Sequence, residues 1–183
     1  LFLRTALVSS KFENKYRAKR LNDSSEFESR ENAKTVNDRY LFSSNLNFKI
    51  NARNTLKSGI VLSKLNYSIF QNSYNTDVDS MINYLDIKNA TQTIQFYSTW
   101  MNRVTERWTL QFGVHYLALA LNNSFSFEPR VSSSFAISEG KTLSVGYGLH
   151  SQIQTLGVYF AEAIDSSGNI YRPNEELDLT KSH

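Results

Sequence analysis

Apolar residues recur at every second position through much of the chain, the spacing of strands with one oily and one wet face. The pattern is clearest over residues 125–151. Phe125, Phe127, Val131, Phe135 and Ile137 share one parity, and Ser126, Glu128, Arg130, Ser132, Ser134 and Ser138 the other. After Glu139, Gly140 and Lys141 the alternation resumes, with Leu143, Val145, Tyr147 and Leu149 against Ser144, Gly146, Gly148 and His150. Two such limbs around a glycine-containing loop predict a β-hairpin.

The same spacing predicts strands over residues 40–51 (Phe42, Leu46, Phe48, Ile50), 91–103 (Ile94, Phe96, Trp100) and 108–121 (Trp108 through Ala120). Residues 1–13 form a weaker candidate. Residues 56–74 read as a long strand whose parity switches between Leu62 and Leu65, which predicts a bulge. Residues 14–39 carry dense mixed charge and few apolar side chains, and predict a solvated loop. Their basic tract, residues 11–20, admits contact with an anionic ligand or lipopolysaccharide, against the plainer reading of solvated charge. Residues 75–90 and 161–181 predict further polar loops, the latter with a turn at 165–169. Tight turns at 51–55, 105–107 and 139–141 alternate with longer connections, apart from the brief link at 122–124. That asymmetry is shown by outer-membrane barrels.

Composition agrees with an all-β chain. Of 183 residues, 40% are hydrophobic and only two are proline and seven glycine, so strands have few breakers. The absence of cysteine excludes disulfides and thiolate metal sites. A net charge of +3 gives little reason to expect nucleic acid. No apolar run reaches the roughly 18 residues of a membrane helix, which leaves barrel strands open.

Periodicity does not say which face meets lipid or core. In a soluble β-sandwich the aromatic face packs inward; in a membrane barrel it meets lipid and the polar face lines a wet lumen. Strand length, Trp and Tyr near the ends of apolar stretches, and a meander without helices favour the barrel. About seven strands is an odd count where bacterial barrels are even. The expectation is therefore a partial transmembrane β-barrel domain over residues 1–183, an antiparallel up-and-down meander forming an arc of a larger barrel, truncated at both ends and without a plug domain.

Glu128, Pro129 and Arg130 lead through the tight turn to Gly146, Tyr147 and Gly148, then His150, Ser151 and Gln152, and finally Leu177, Leu179, Thr180, Lys181, Ser182 and His183. This order of EPR, GYG-x-HSQ and L-x-L-T-K-S-H elements resembles the barrel of TonB-dependent outer-membrane receptors. The resemblance is specific over about the last third of the chain and rests on strand rhythm elsewhere. It implies a barrel of about 22 strands around a plug, placed in the outer membrane, importing a scarce nutrient such as a siderophore, cobalamin, peptide or glycan. Implied partners are outer-membrane lipid, the receptor's own plug and the TonB complex. A non-importing outer-membrane barrel, for adhesion or assembly, is the alternative within the membrane, and a soluble β-sandwich binding module the alternative outside it.

In the barrel reading Glu128, Arg130, His150, His115 and Gln111 face the lumen, and Trp100, Trp108, Tyr116 and Tyr147 form a lipid-facing girdle. Glu128 and Arg130 are expected to make a lumenal ion pair, and the two histidines to be ordinary polar lining. Adjacent strand positions point to opposite faces, so Ser151 and His150 are expected to diverge. Asp77, Asp79 and Asp86 lack the glycine and closing glutamate of a calcium loop. No catalytic set, metal site or cofactor is expected, and no enzyme.

Overall fold

The computed structural model describes residues 1–22, 25–167 and 169–182, with Ile164 described by its backbone alone. Seven strands form one antiparallel sheet in sequence order: β1 (Phe2–Leu21), β2 (Phe27–Lys49), β3 (Asn54–Asn75), β4 (Ser80–Arg103), β5 (Trp108–Leu119), β6 (Ser124–Ser138) and β7 (Lys141–Gly148). This is the all-β up-and-down meander that the alternation predicts, and it is consistent with an arc of a barrel wall. After a break at Leu149 the chain continues as β8 (His150–Gln152), which pairs with β11 (Thr180–Ser182). The intervening excursion holds one helical turn, α1 (Leu156–Tyr159), and a short pair, β9 (Ala163–Ile164) with β10 (Ile170–Tyr171). In the turn between them Asp165 Oδ1 accepts the Ser167 and Asn169 amides at 2.8 Å each; Gly168 and the predicted His183 element lie outside the described residues.

Two predicted loops are strands. Residues 14–39 form a β-ribbon in which Glu13 pairs with Val36 and Lys15 with Lys34, so β1 and β2 are joined only by residues 22–26. Residues 80–90 likewise belong to β4, paired with β3. Backbone hydrogen bonds between two strands do not require an apolar face. Where both faces meet water, alternation disappears while the ladder persists.

The pairing carries side-chain alternation across the sheet as rows. One face, here called inner, is covered by the excursion after β8: Phe160 stacks on Tyr67 with ring centroids 5.4 Å apart, and Ile69 completes this small core. Leu85, Ile87, Leu121 and Leu156 pack around it. The parity switch in β3 marks this core and not a bulge. Register runs unbroken from Asn54 to Gln71, with the irregularity between Gln71 and Asn72. Leu56, Ile60 and Leu62 occupy the outer face, and beyond them Leu65, Tyr67 and Ile69 occupy the inner face while Lys64, Asn66 and Ser68 take the outer one. The strand is straight in register; its surroundings change.

Gly59 is required by packing. A Cβ there would lie 2.6 Å from Asn45 Oδ1 and from Tyr97 Cζ and hydroxyl, because Tyr97 lies over the glycine and donates its hydroxyl hydrogen to Asn45 Oδ1. The ring fills the space that glycine leaves on a strand. Gly59→Ala therefore displaces Tyr97 and is expected to destabilise the sheet by about 1–3 kcal/mol. A double-mutant cycle with Tyr97→Ala checks this in denaturant unfolding: most of the Gly59→Ala cost vanishes once the ring is gone.

Candidate functional site on the inner face

One inner-face row crosses five strands: Asn45 is opposite Gly59, Gly59 opposite Tyr97, Tyr97 opposite His115 and His115 opposite Glu128. It is polar throughout, and at its end a carboxylate is removed from solvent. Glu128 is 1% exposed, so its charge persists only with close partners. Arg130 Nη2 donates to Oε2 at 2.8 Å, and His115 Nδ1 lies 3.0 Å from the same oxygen. Oε1 accepts the Ser151 amide at 3.1 Å and the Ser151 hydroxyl. Both carboxylate oxygens are thus engaged, one by the wall and one by the chain that leaves it. His115 Nε2 lies 3.4 Å from Gln95 Oε1.

Local sequence explains the position of each group. Arg130 and Glu128 are two apart on β6 and share a face, with Pro129 pointing outward. Pro129 still offers its carbonyl, which accepts the Leu149 amide at 3.1 Å. The regular ladder stops at Leu149, and this break brings Ser151 to the inner face. His150 reaches that face too: its Nε2 lies 3.3 Å from where a Cβ on Gly148 would be, and Arg130 Cγ 3.2 Å from the same point. The predicted divergence of His150 and Ser151 is therefore incorrect, since strict alternation holds only in an uninterrupted strand.

Of the predicted inward residues, Glu128, Arg130 and His115 form one contact cluster. His150 lies beside it, and Gln111 lines the same recess, two rows away with Ser132 and Gly146. Trp100, Trp108, Tyr116 and Tyr147 all project from the outer face. Trp100 stacks on Phe112 at 5.8 Å and donates Nε1 to Asn54 Oδ1 at 3.1 Å; Trp108 Nε1 donates to Ser133 Oγ at 2.9 Å. Tyr116 lies 6.2 Å from the Phe125 ring. Asn45 and Tyr97 were not singled out by the sequence, and Ser151 was expected to face away from His150. Ser151 sits next to the GYG-x-H element, but only the interruption at Leu149 reveals its direction.

The arrangement offers polar hydrogen bonding and one exposed cation, since the Arg130 side chain is 44% exposed. Among the described residues no group of three or more His, Cys, Asp or Glu side chains is placed to hold a metal. The cluster joins the wall to the excursion, whose far end is held by Asn122 Nδ2, which donates to the Leu177 carbonyl at 2.7 Å.

A scan against protein-family models finds no match, and a search of curated proteins finds none. Among solved structures, a chain in the structure of the FpvAI-pyocin S2 complex is similar over 98% of this chain, with a TM-score of 0.62 and 14% identity. This chain spans about a quarter of that one, 26% of its length. At this identity the likeness concerns the fold alone.

Glu128→Gln keeps the shape and removes the charge that Arg130 and Ser151 address. Hydrogen bonds to a charged group contribute about 1.5–3 kcal/mol, and the loss is expected to free the excursion before the sheet. Limited proteolysis checks this: cleavage within residues 153–179 accelerates in Glu128→Gln, while β2 to β6 stay protected.

Proposed function

We propose that this chain is part of the wall of a TonB-dependent outer-membrane receptor that imports a scarce nutrient. The observation that carries the proposal is the outer face. Apolar and aromatic side chains dominate it over residues 40–50, 56–62, 94–100, 108–118 and 125–137, a band whose longer stretches match or exceed the roughly 9–11 residues a tilted strand needs to cross the hydrocarbon. Many are open to the surroundings, including Phe48, Phe96, Phe112, Val131, Phe135 and Val145. An apolar surface of this extent on a sheet is costly in water and favourable in lipid. The opposite face, with Glu128, Arg130, His115, His150 and Gln111, suits a water-filled lumen.

Strand length supports the same reading. At about 3.3 Å per residue β3, with 22 residues, reaches about 70 Å, more than twice the roughly 30 Å of hydrocarbon. The excess lies on the side of residues 22–26 and 76–79, beyond the apolar band of the outer face, and forms tall ribbons outside the cell. Residues 50–53, 104–107 and 139–140 form the short periplasmic rim. The excursion after β8 leaves from the external side and folds back over the inner face, in the way of the path an imported ligand takes. Binding and passage are the duties assigned here, with no chemistry; selectivity belongs to the external segments and to a plug.

Cysteine accessibility in intact cells tests the orientation. Ser132→Cys and Ser134→Cys are expected to react with a membrane-impermeant thiol reagent that reaches the lumen, whereas Val131→Cys and Phe135→Cys are shielded by lipid. Equal aqueous labelling of the two sets would overturn the membrane reading. For import, uptake of the nutrient by the full-length protein is expected to stop when inner-membrane energy is dissipated.

A further inference from the structure

Above the apolar band, the outer face changes character within one row. Leu7, Phe42, Leu62 and Ile94 stand side by side as the last apolar row, and they line a shallow groove with Val8 and Tyr40. The next row is Ser9, Tyr40, Lys64 and Gln92, and the one after it Lys11, Asp38, Asn66 and Ala90. Lys88 follows in the row of Glu13, Val36 and Ser68. A second recess above the first is lined by Lys11, Lys34, Asp38, Ser68 and Lys88 among others.

The charges on this patch are not equivalent. Glu13 lies 2.8 Å from Lys15 and 3.5 Å from Lys34, and the hydrogen bond from Lys15, with the charges of both lysines, holds its carboxyl below the usual range. Those three groups satisfy one another. Lys11, Lys64 and Lys88 are exposed and make no ion pair among the described residues; of the carboxylates in their rows, Glu13 is taken up by Lys15 and Lys34, and Asp38 stands opposite Lys11. Along a strand the Lys64 row is about 7 Å beyond the apolar edge, the Lys11 row about 13 Å and the Lys88 row about 20 Å. Strand tilt shortens these heights, and lysine side chains extend toward charge, so Lys64 and Lys11 sit at headgroup depth above a groove of acyl-chain character, with Lys88 at the outer limit of that layer.

We infer that this outer patch, Lys11, Lys64 and Lys88 above the Leu7, Phe42, Leu62 and Ile94 groove, binds a phosphorylated, acylated glycolipid of the lipid A type in the external leaflet. The inference rests on the membrane reading above. Phosphate groups meet the unpaired ammonium groups, and an acyl chain lies along the groove. The combination selects an anionic amphiphile over a soluble anion, which has no use for the groove, and over a neutral lipid, which leaves three lysines without counter-charge.

The full-length protein, in nanodiscs of phosphatidylethanolamine, is titrated with bisphosphorylated lipid A, with its fully dephosphorylated form, and with inorganic phosphate. The bound species are counted by native mass spectrometry. The triple variant Lys11→Gln, Lys64→Gln, Lys88→Gln is expected to bind bisphosphorylated lipid A at least about tenfold more weakly, since each lysine near an anionic lipid surface contributes appreciably. The triple arginine variant retains binding, and heat-dependent gel mobility confirms that all variants are folded. Undiminished binding in the glutamine variant, equal binding of the dephosphorylated lipid by the unaltered protein, inorganic phosphate held as tightly as the lipid, or a dimer through this face that excludes lipid would each overturn the inference. Labelling of Val131→Cys in the same preparation separates the two levels: if it reacts from water the membrane reading fails, and if it is shielded only the lipid site is at stake.

Discussion

Everything described here depends on an antiparallel ladder that keeps its register across seven strands. A strand's side chains alternate with a period of two, so a slip by one residue would exchange the faces of every strand beyond it. In this chain Asn45, Gly59, Tyr97, His115 and Glu128 stay in one row because four successive pairings agree. The rows of leucine, isoleucine and phenylalanine on the other face exist for the same reason. Irregularities fall between Ala18 and Lys19, between Gln71 and Asn72, and between Ala136 and Ser138. All are near strand ends, where a change of face costs least.

That ladder passes through more than one environment, and the sequence records the environment more plainly than the ladder. Between residues 108 and 137 one face is apolar and the other wet, so periodicity exposes the strands, their order and the parity of Glu128, Arg130, His115 and Gln111. Between residues 14 and 39 both faces meet water. Lys15 opposite Lys34 and Tyr16 opposite Ala33 leave no alternation to detect, and a well-paired ribbon resembles a loop. In β3 the apolar parity changes at Leu65 because Tyr67 and Ile69 pack beneath Phe160. A bulge and a change of surroundings leave the same trace in a sequence, and only the pairing tells them apart.

Ser151 was hidden for a different reason. Alternation assigns its face correctly only if the strand continues through Leu149, and it does not: the Leu149 amide still bonds the Pro129 carbonyl in register, but Pro129 has no N–H to return the bond. Proline supplies an acceptor without the donor that a regular ladder needs at that place. The interruption lets both the Ser151 amide and its hydroxyl reach Glu128. The EPR element thus has a physical function in this chain: proline ends the pairing, glutamate captures the departing segment, and arginine balances the buried charge.

The wall and the excursion are consequently one mechanical unit, joined by the Asn122 bond to the Leu177 carbonyl and by two larger contacts. Near β6 the excursion is tied by a carboxylate that solvent does not reach; near β3 it is held by an aromatic stack and a small apolar core. The two attachments differ in kind. A buried, multiply bonded carboxylate is costly to leave half satisfied and so resists partial release, whereas an aromatic contact loosens gradually as its surface is exposed. An excursion that lifted without leaving the wall would pivot about the first and open at the second. Tyr67 and Phe160, not the charged cluster, are then where the excursion would part from the wall first.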